Sequence, residues 1–239
     1  MHILYDSSLD MGFLDYGIQI PIRDRRAQAV LDFLGIEALS LEAAADVLKI
    51  PVASRSICRE DLARVHSSVF VASLFGPGLE AELIKTYELI DENGHLRRYN
   101  PEEASRPLSE LFSTIRTQVW GTYLSCRLAL THDVPGLPEF ADNPGFCFYL
   151  GGGMHHARRD FGSGFCLLND IVIAARRLQS EGLISSIWII DVDAHKGDGT
   201  AELTYGDRSI PSAWLMAGGY GDRAWEPPAH FLKGVLDIF

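Results

Sequence analysis

No stretch of this 239-residue sequence approaches the roughly 20 consecutive apolar residues needed to span a bilayer. The first segment, MHILYDSSLDMGFLDYG, carries acids where a secretory leader needs a basic flank and a continuous apolar run. Both absences make the cytoplasm the simplest expected address. Cysteine is scarce: Cys58, Cys126, Cys147 and Cys166, with no CxxC pair among them. Their neighbours are apolar, so reduced, mostly buried thiols are expected, with neither a disulfide nor a zinc-finger framework. Positive charge is short too, with 21 Lys and Arg against 32 Asp and Glu, a formal net charge of −11. That balance argues against direct nucleic-acid binding. An acidic surface suits a cationic substrate, and it equally serves solubility alone. Internal repeats, heptad arrays and low-complexity tracts are also lacking, and oligomeric state is not legible.

What is present fits one sizeable α/β domain, with 47% apolar and 22% charged residues. Residues 22–35 (IRDRRAQAVLDFLG) predict a helix ending at Gly35, and residues 59–75 one or two short helices. Residues 76–106, with GPG, DENG and Asn-Pro, read as a long polar excursion. From Pro107 to Leu130, Leu108, Leu111, Phe112, Ile115, Val119, Tyr123 and Leu124 keep helical spacing and predict a long amphipathic helix. FCFYL before Gly151, SIWIIDVD (186–193) and Ala213–Ala217 read as buried strands, with a helix over Asn169–Gln179 between the first two. Strand, helix, strand is the grammar of an open parallel sheet flanked by helices, where ligands bind beyond the carboxyl ends of the strands.

The chemistry-bearing residues fall at those ends. In WIIDVDAHKGDGT, Asp191, Asp193 and His195 alternate, so they share one face if strand geometry persists. Asp193 and His195 are an oxygen and a nitrogen ligand suited to a metal such as zinc. Asp191 lies deeper, where it could orient a histidine, and Asp198 follows on the loop. The bland alternative is a strand running out into a solvated acidic loop. In GGGMHHARRDFGSGFCLLND, His155 and His156 stand side by side behind three glycines. A metal-bound water needs a general base and a leaving amine a general acid. Two imidazoles backed by different carboxylates can divide those tasks, and Asp191 and Asp198 are the available backers. The alternative is one structural histidine beside an exposed one. In AGGYGDRAW, Tyr220 could present its hydroxyl to a developing oxyanion, or could be a turn tyrosine packed on Trp225.

Together these segments resemble the zinc-dependent histone deacetylase family, including bacterial members that act on small acetylated amines. GGGMHHARRDFGSGFCLLND, IIDVDAHKGDGT and AGGY stand in the family's order, and weaker similarity runs upstream through RVHSSVFVASLF. The resemblance implies an arginase-like open parallel α/β fold, with Asp193 and His195 as zinc ligands. It implies His155 and His156 as the acid/base pair, with Asp191 and Asp198 as their respective partners. Tyr220 would polarise the substrate carbonyl, and Gly164 and Phe165 would line the tunnel for an acetylated lysine or acetylated small amine. A potassium ion near the backbone of residues 191–195 is implied as well.

The sequence also departs from that pattern. Family members carry a third zinc ligand, an aspartate in a G-A-D segment, between the second and third motifs. Here only residues 201–216 separate them, and no G-A-D occurs. Several strand–helix units are expected to be missing, with the junction near Ile210-Pro211, as in a truncated gene model, a splice-like variant or a non-catalytic relative. Metal affinity should fall unless Asp207, Asp222 or Asp237 substitutes. Lys196 stands where many relatives have a second histidine. The leading expectation is a zinc-dependent deacetylase or amidohydrolase; the main alternative is a catalytically inactive deacetylase-like protein that binds an acylated ligand or a partner. A binuclear-manganese ureohydrolase needs more ligands than the sequence offers, and DAHKGD has one residue too many for the DAHxD pattern.

Overall fold

The structure is a computed structural model that describes residues 2–20, 25–130, 145–210, the backbone of 212–214, and residue 233. Strand β1 (His2–Leu4) is followed by α1 (Arg26–Leu34), α2 (Leu41–Val47), α3 (Arg59–Ala63), α4 (Ser68–Leu74) and α5 (Leu79–Thr86). A 3-10 turn over Leu108–Glu110 leads into α6 (Leu111–Leu130). Then come β2 (Cys147–Tyr149), α7 (Asp170–Ser180), β3 (Ile189–Asp191), α8 (Asp198–Thr204) and β4 (Ser212–Trp214).

Local chemistry explains the helix starts. The side chains of Ser40, Ser67 and Asn169 accept hydrogen bonds from the backbone N–H groups of Ala43, Phe70 and Val172, satisfying donors that the first turns of α2, α4 and α7 leave open. Helix α1 ends where expected, at Gly35 in the left-handed conformation. Helix α6 buries Leu111, Phe112, Ile115, Val119, Tyr123, Leu124 and Leu128, the stripe that its spacing predicts. It packs on β1, β2 and α7, so it is the spine of the core.

An internal ion pair ties α7 to α3, and the same guanidinium packs on the spine. The Arg177 guanidinium reaches Asp61 at 3.2 Å and the carbonyl of Ser56 at 2.8 Å, and lies 4.2 Å from the centre of the Tyr123 ring. Both charges are buried, so the partners offset a desolvation cost that either alone would leave exposed.

The expected parallel α/β class holds, and the strands among the described residues fall in two parallel pairs. Strand β1 pairs with β2 in the register His2↔Cys147 and Leu4↔Tyr149; β3 pairs with β4 in the register Ile189↔Ser212 and Asp191↔Trp214. Some expectations need correcting. The polar excursion at 76–106 contains α5, whose Leu83 side chain is fully buried. The strand expected over 186–193 is regular only at Ile189–Asp191 and is buried on one side. Its other side shows Trp188, Ile190 and Val192 exposed at 72%, 60% and 51%. No described element covers that face, so continuous apolar sequence here is not continuous burial. Cys58 is exposed, not buried, because it precedes α3 at the surface. The expected strand positions 215–217 lie outside the described residues.

Candidate active site

Three stretches meet at one cavity of about 250 Å3. Its walls include Gly151–Met154, the paired histidines, Gly164 and Phe165, and the Asp193–His195 turn. The approach of the His155-His156 turn to α8 depends on Gly199, where a Cβ would collide with the Ala157 carbonyl and stand 2.6 Å from the His156 carbonyl oxygen. With glycine there, the Thr200 N–H donates to the His155 carbonyl at 2.9 Å. Beneath the glycine loop, the buried Asp170 carboxylate accepts from the N–H groups of Gly153 (3.0 Å) and Met154 (2.6 Å) and from the Thr122 hydroxyl (2.5 Å). Burial pushes its carboxyl above the ordinary value, with those hydrogen bonds opposing.

Each imidazole has its own carboxylate. His155 Nδ1 lies 2.7 Å from Asp191 Oδ2, and His156 Nδ1 lies 2.8 Å from Asp198 Oδ1. The ring centres are 4.2 Å apart at an interplanar angle of 64°, so adjacent residues face one cavity from different directions. Gly164 makes room: with φ +55° it is left-handed, and a Cβ would stand 2.6 Å from His156 Cδ2. Phe165 is also left-handed, at φ 63°, and its ring stacks on buried Tyr87 with centres 6.5 Å apart. Burial tends to raise the Asp198 carboxyl; the hydrogen bond from His156 and the charge of Arg158 outweigh it, and the net shift is downward.

The metal pair is only partly assembled. Strand geometry ends at Asp191, and the chain turns so that Asp193 N–H donates to Asp191 Oδ1 at 3.0 Å. The expected single-face alternation therefore gives way to a turn. Asp193 Oδ1 still lies 2.9 Å from His195 Nδ1 and 3.9 Å from His155 Nε2. Among the described residues no group of three His, Cys, Asp or Glu side chains could hold a metal ion. Asp207 is engaged elsewhere: it accepts from Arg176 at 2.5 Å and from the Ser209 hydroxyl at 2.7 Å, and these bonds hold its carboxyl down at about 2. Tyr220, Asp222 and Asp237 lie outside the described residues.

Sequence reasoning missed several residues that shape the site. Asp170 stands at the end of the quoted LLND run, and nothing in that run says the carboxylate turns inward. His66 is buried, with Nδ1 2.8 Å from the Arg158 carbonyl and Nε2 accepting from the Asn169 N–H at 3.3 Å. Burial pulls its pKa down to about 4, against smaller opposing hydrogen bonds. Arg158 bridges Asp198 and Glu202. The RVHS segment was the available signal for His66; Arg158 had none beyond its place beside the histidines.

The chain is similar to several known proteins. The histone deacetylase domain profile matches residues 20–213. Histone deacetylase 2 of Oryza sativa subsp. japonica is 30% identical over 204 residues, which is 85% of this chain and 35% of that protein. The acetoin utilization protein AcuC of Staphylococcus aureus (strain COL) is 48% identical over 62 residues, covering 26% of this chain and 16% of its own length. An uncharacterised protein of Picosynechococcus sp. is 43% identical over 94 residues, 39% of this chain and 27% of that protein. The chain thus spans about a third or less of these relatives. Among solved structures, the HDA15 HD domain matches with a TM-score of 0.55 at 18% identity, covering 91% of this chain and 53% of that one, a likeness of fold. By the extent of the domain match and the residues that carry it, the chain belongs to the histone deacetylase family.

Proposed function

We propose that this chain carries a deacetylase-type site that hydrolyses the amide of an acetylated lysine or acetylated small amine. The observation that carries the reading is the pair of His–Asp dyads at one cavity, His155–Asp191 and His156–Asp198. In amide hydrolysis the C–N bond breaks, water supplies the hydroxyl to the acyl carbon, and its protons end on the products, one on the amine. One imidazole must take a proton from the attacking water and one must deliver a proton to nitrogen. A carboxylate on each Nδ1 orients the ring and leaves Nε2 for the reacting groups. Gly164 and Phe165 would flank the acyl chain, since both line the same cavity. Tyr220 would contribute a hydroxyl to the carbonyl oxygen.

Zinc is the group that such chemistry uses to polarise the carbonyl and the water. Asp193 and His195 are its candidate ligands, but a catalytic zinc takes three protein donors. Among the described residues that set stops at two, so the described residues alone do not complete a zinc site. This favours a second reading, a deacetylase-like protein that binds acylated amines without turning them over. Loss of family strand–helix units near Ile210-Pro211, within a single domain over 1–239, belongs to the same proposal. The exposed Trp188, Ile190 and Val192 side of β3, which no described element covers, supports it, as a sheet face that a neighbouring element would normally bury.

Metal analysis of the purified chain, with release of a fluorophore from an acetyl-lysine reporter, tests the choice. Hydroxamate-sensitive turnover with bound zinc is expected for the enzyme. Binding of an acetyl-lysine peptide without turnover selects the second reading, and absence of both overturns the site assignment.

A further inference from the structure

The two dyads are built alike at the imidazole and differently behind the carboxylate. Asp191 offers Oδ2 to His155 and Oδ1 to a neutral backbone donor, the Asp193 N–H at 3.0 Å. Asp198 offers Oδ1 to His156 and to the Gly199 N–H at 3.1 Å, and its Oδ2 meets the Arg158 guanidinium. Arg158 is anchored on every side. Its other terminal nitrogen donates to Glu202 Oε2 at 2.6 Å, its N–H donates to the Phe161 carbonyl at 3.0 Å, and its own carbonyl is held by His66 at 2.8 Å. Asp198 and Glu202 are four residues apart on α8, so their carboxylates share one helix face. A planar guanidinium can span two such groups at once; an ammonium is a single point charge.

We propose that Arg158 is a positioning residue for the acid/base pair. By holding Asp198 Oδ2 against α8 it stops the carboxylate from rotating, so that Oδ1 stays on His156 Nδ1. An ionised carboxylate only accepts, so the His156 proton must then sit on Nδ1, with the Nε2 lone pair turned to the cavity. The consequence for turnover rests on the deacetylase reading; the geometry does not.

The test uses the full chain with 15N-labelled histidine. Ring nitrogen shifts report which nitrogen carries the proton, and His156 is assigned by the signal lost in His156→Ala. The wild-type protein should show the Nδ1–H tautomer at His156. Arg158→Gln should raise the Nε2–H population and lower kcat on an acetyl-lysine reporter by roughly 10- to 100-fold, with KM nearly unchanged. Arg158→Lys should recover part of both effects, and Glu202→Gln should leave the tautomer as in wild type. A wild-type His156 with its proton on Nε2 overturns the proposal without any variant, as does an unchanged tautomer in folded Arg158→Gln. A shifted tautomer in a protein with no wild-type turnover supports the positioning role and counts against the deacetylase reading instead. An unchanged tautomer with normal turnover does the reverse.

Discussion

His155 and His156 are neighbours in sequence, and their ring centres lie 4.2 Å apart, yet each Nδ1 meets a carboxylate from a different part of the chain. Asp191 comes from the end of β3 and Asp198 from the first turn of α8. The Asp193–His195 turn between them faces the same cavity. Proton transfer thus has two separately supported imidazoles, which is what the proposed reaction asks of the chain itself.

Removing either imidazole should be costly to turnover and cheap to folding. His155→Ala or His156→Ala is expected to lower kcat by about 10²- to 10⁴-fold, the range for a lost acid/base group. Steady-state kinetics with far-UV circular dichroism checks both halves. A variant that keeps the wild-type rate takes its histidine out of the mechanism.

Gly164 should tolerate no side chain. Ala there would put a Cβ 2.6 Å from His156 Cδ2 and would hold a left-handed backbone at φ +55°, a strain of about 1–2 kcal/mol. Gly164→Ala should therefore lower stability by about that amount and turnover by more than the stability loss explains. Chemical denaturation beside kinetics would show it; a fully active variant would mean that the His156 ring has room to move.

Acid should weaken the fold through His66. Its folded pKa is about 4, below the usual 6.5, because it is buried as a neutral hydrogen-bonding link between α3 and the paired-histidine loop. The unfolded chain takes up the proton first, so this stability is intact above pH 6.5 and is lost as pH falls towards 4. The span corresponds to about 3 kcal/mol at most. Asp170, whose carboxyl is raised by burial, acts in the opposite direction. Urea denaturation at several pH values should therefore show a shallower acid loss in His66→Gln than in wild type. Parallel profiles would contradict the assignment.

Breaking the Arg177–Asp61 pair should destabilise strongly, because both groups are buried and one would be left unpartnered. Asp61→Ala is expected to lower the unfolding free energy by about 3–5 kcal/mol, read from the denaturation midpoint. Replacing both by apolar residues should restore part of that loss. A single variant as stable as wild type would show that the Ser54 and Ser56 carbonyls suffice for Arg177.

Much of this was legible before any coordinates, and for physical reasons. The apolar stripe of α6 repeats at helical spacing because one side of a helix faces the core, and Gly35 marks the end of α1 because only a left-handed residue closes that turn. The residues alone offered Asp191 and Asp198 as backers; which carboxylate meets which imidazole was what the family resemblance implied. The exposed side of β3 was not legible, since the residues Trp188, Ile190 and Val192 are apolar whether or not anything covers them. Helix α5 was hidden by its Gly and Pro flanks. Arg158, His66 and Asp170 act through contacts between segments far apart in sequence, which spacing along one segment does not encode.

The most direct test of the proposed function is acetate release from an acetyl-lysine peptide by the purified chain, with wild type and His156→Ala assayed side by side. The expected result is release by wild type above the uncatalysed rate, falling to near background in the variant. Equal background rates in both, with no binding of the peptide to wild type, would contradict it.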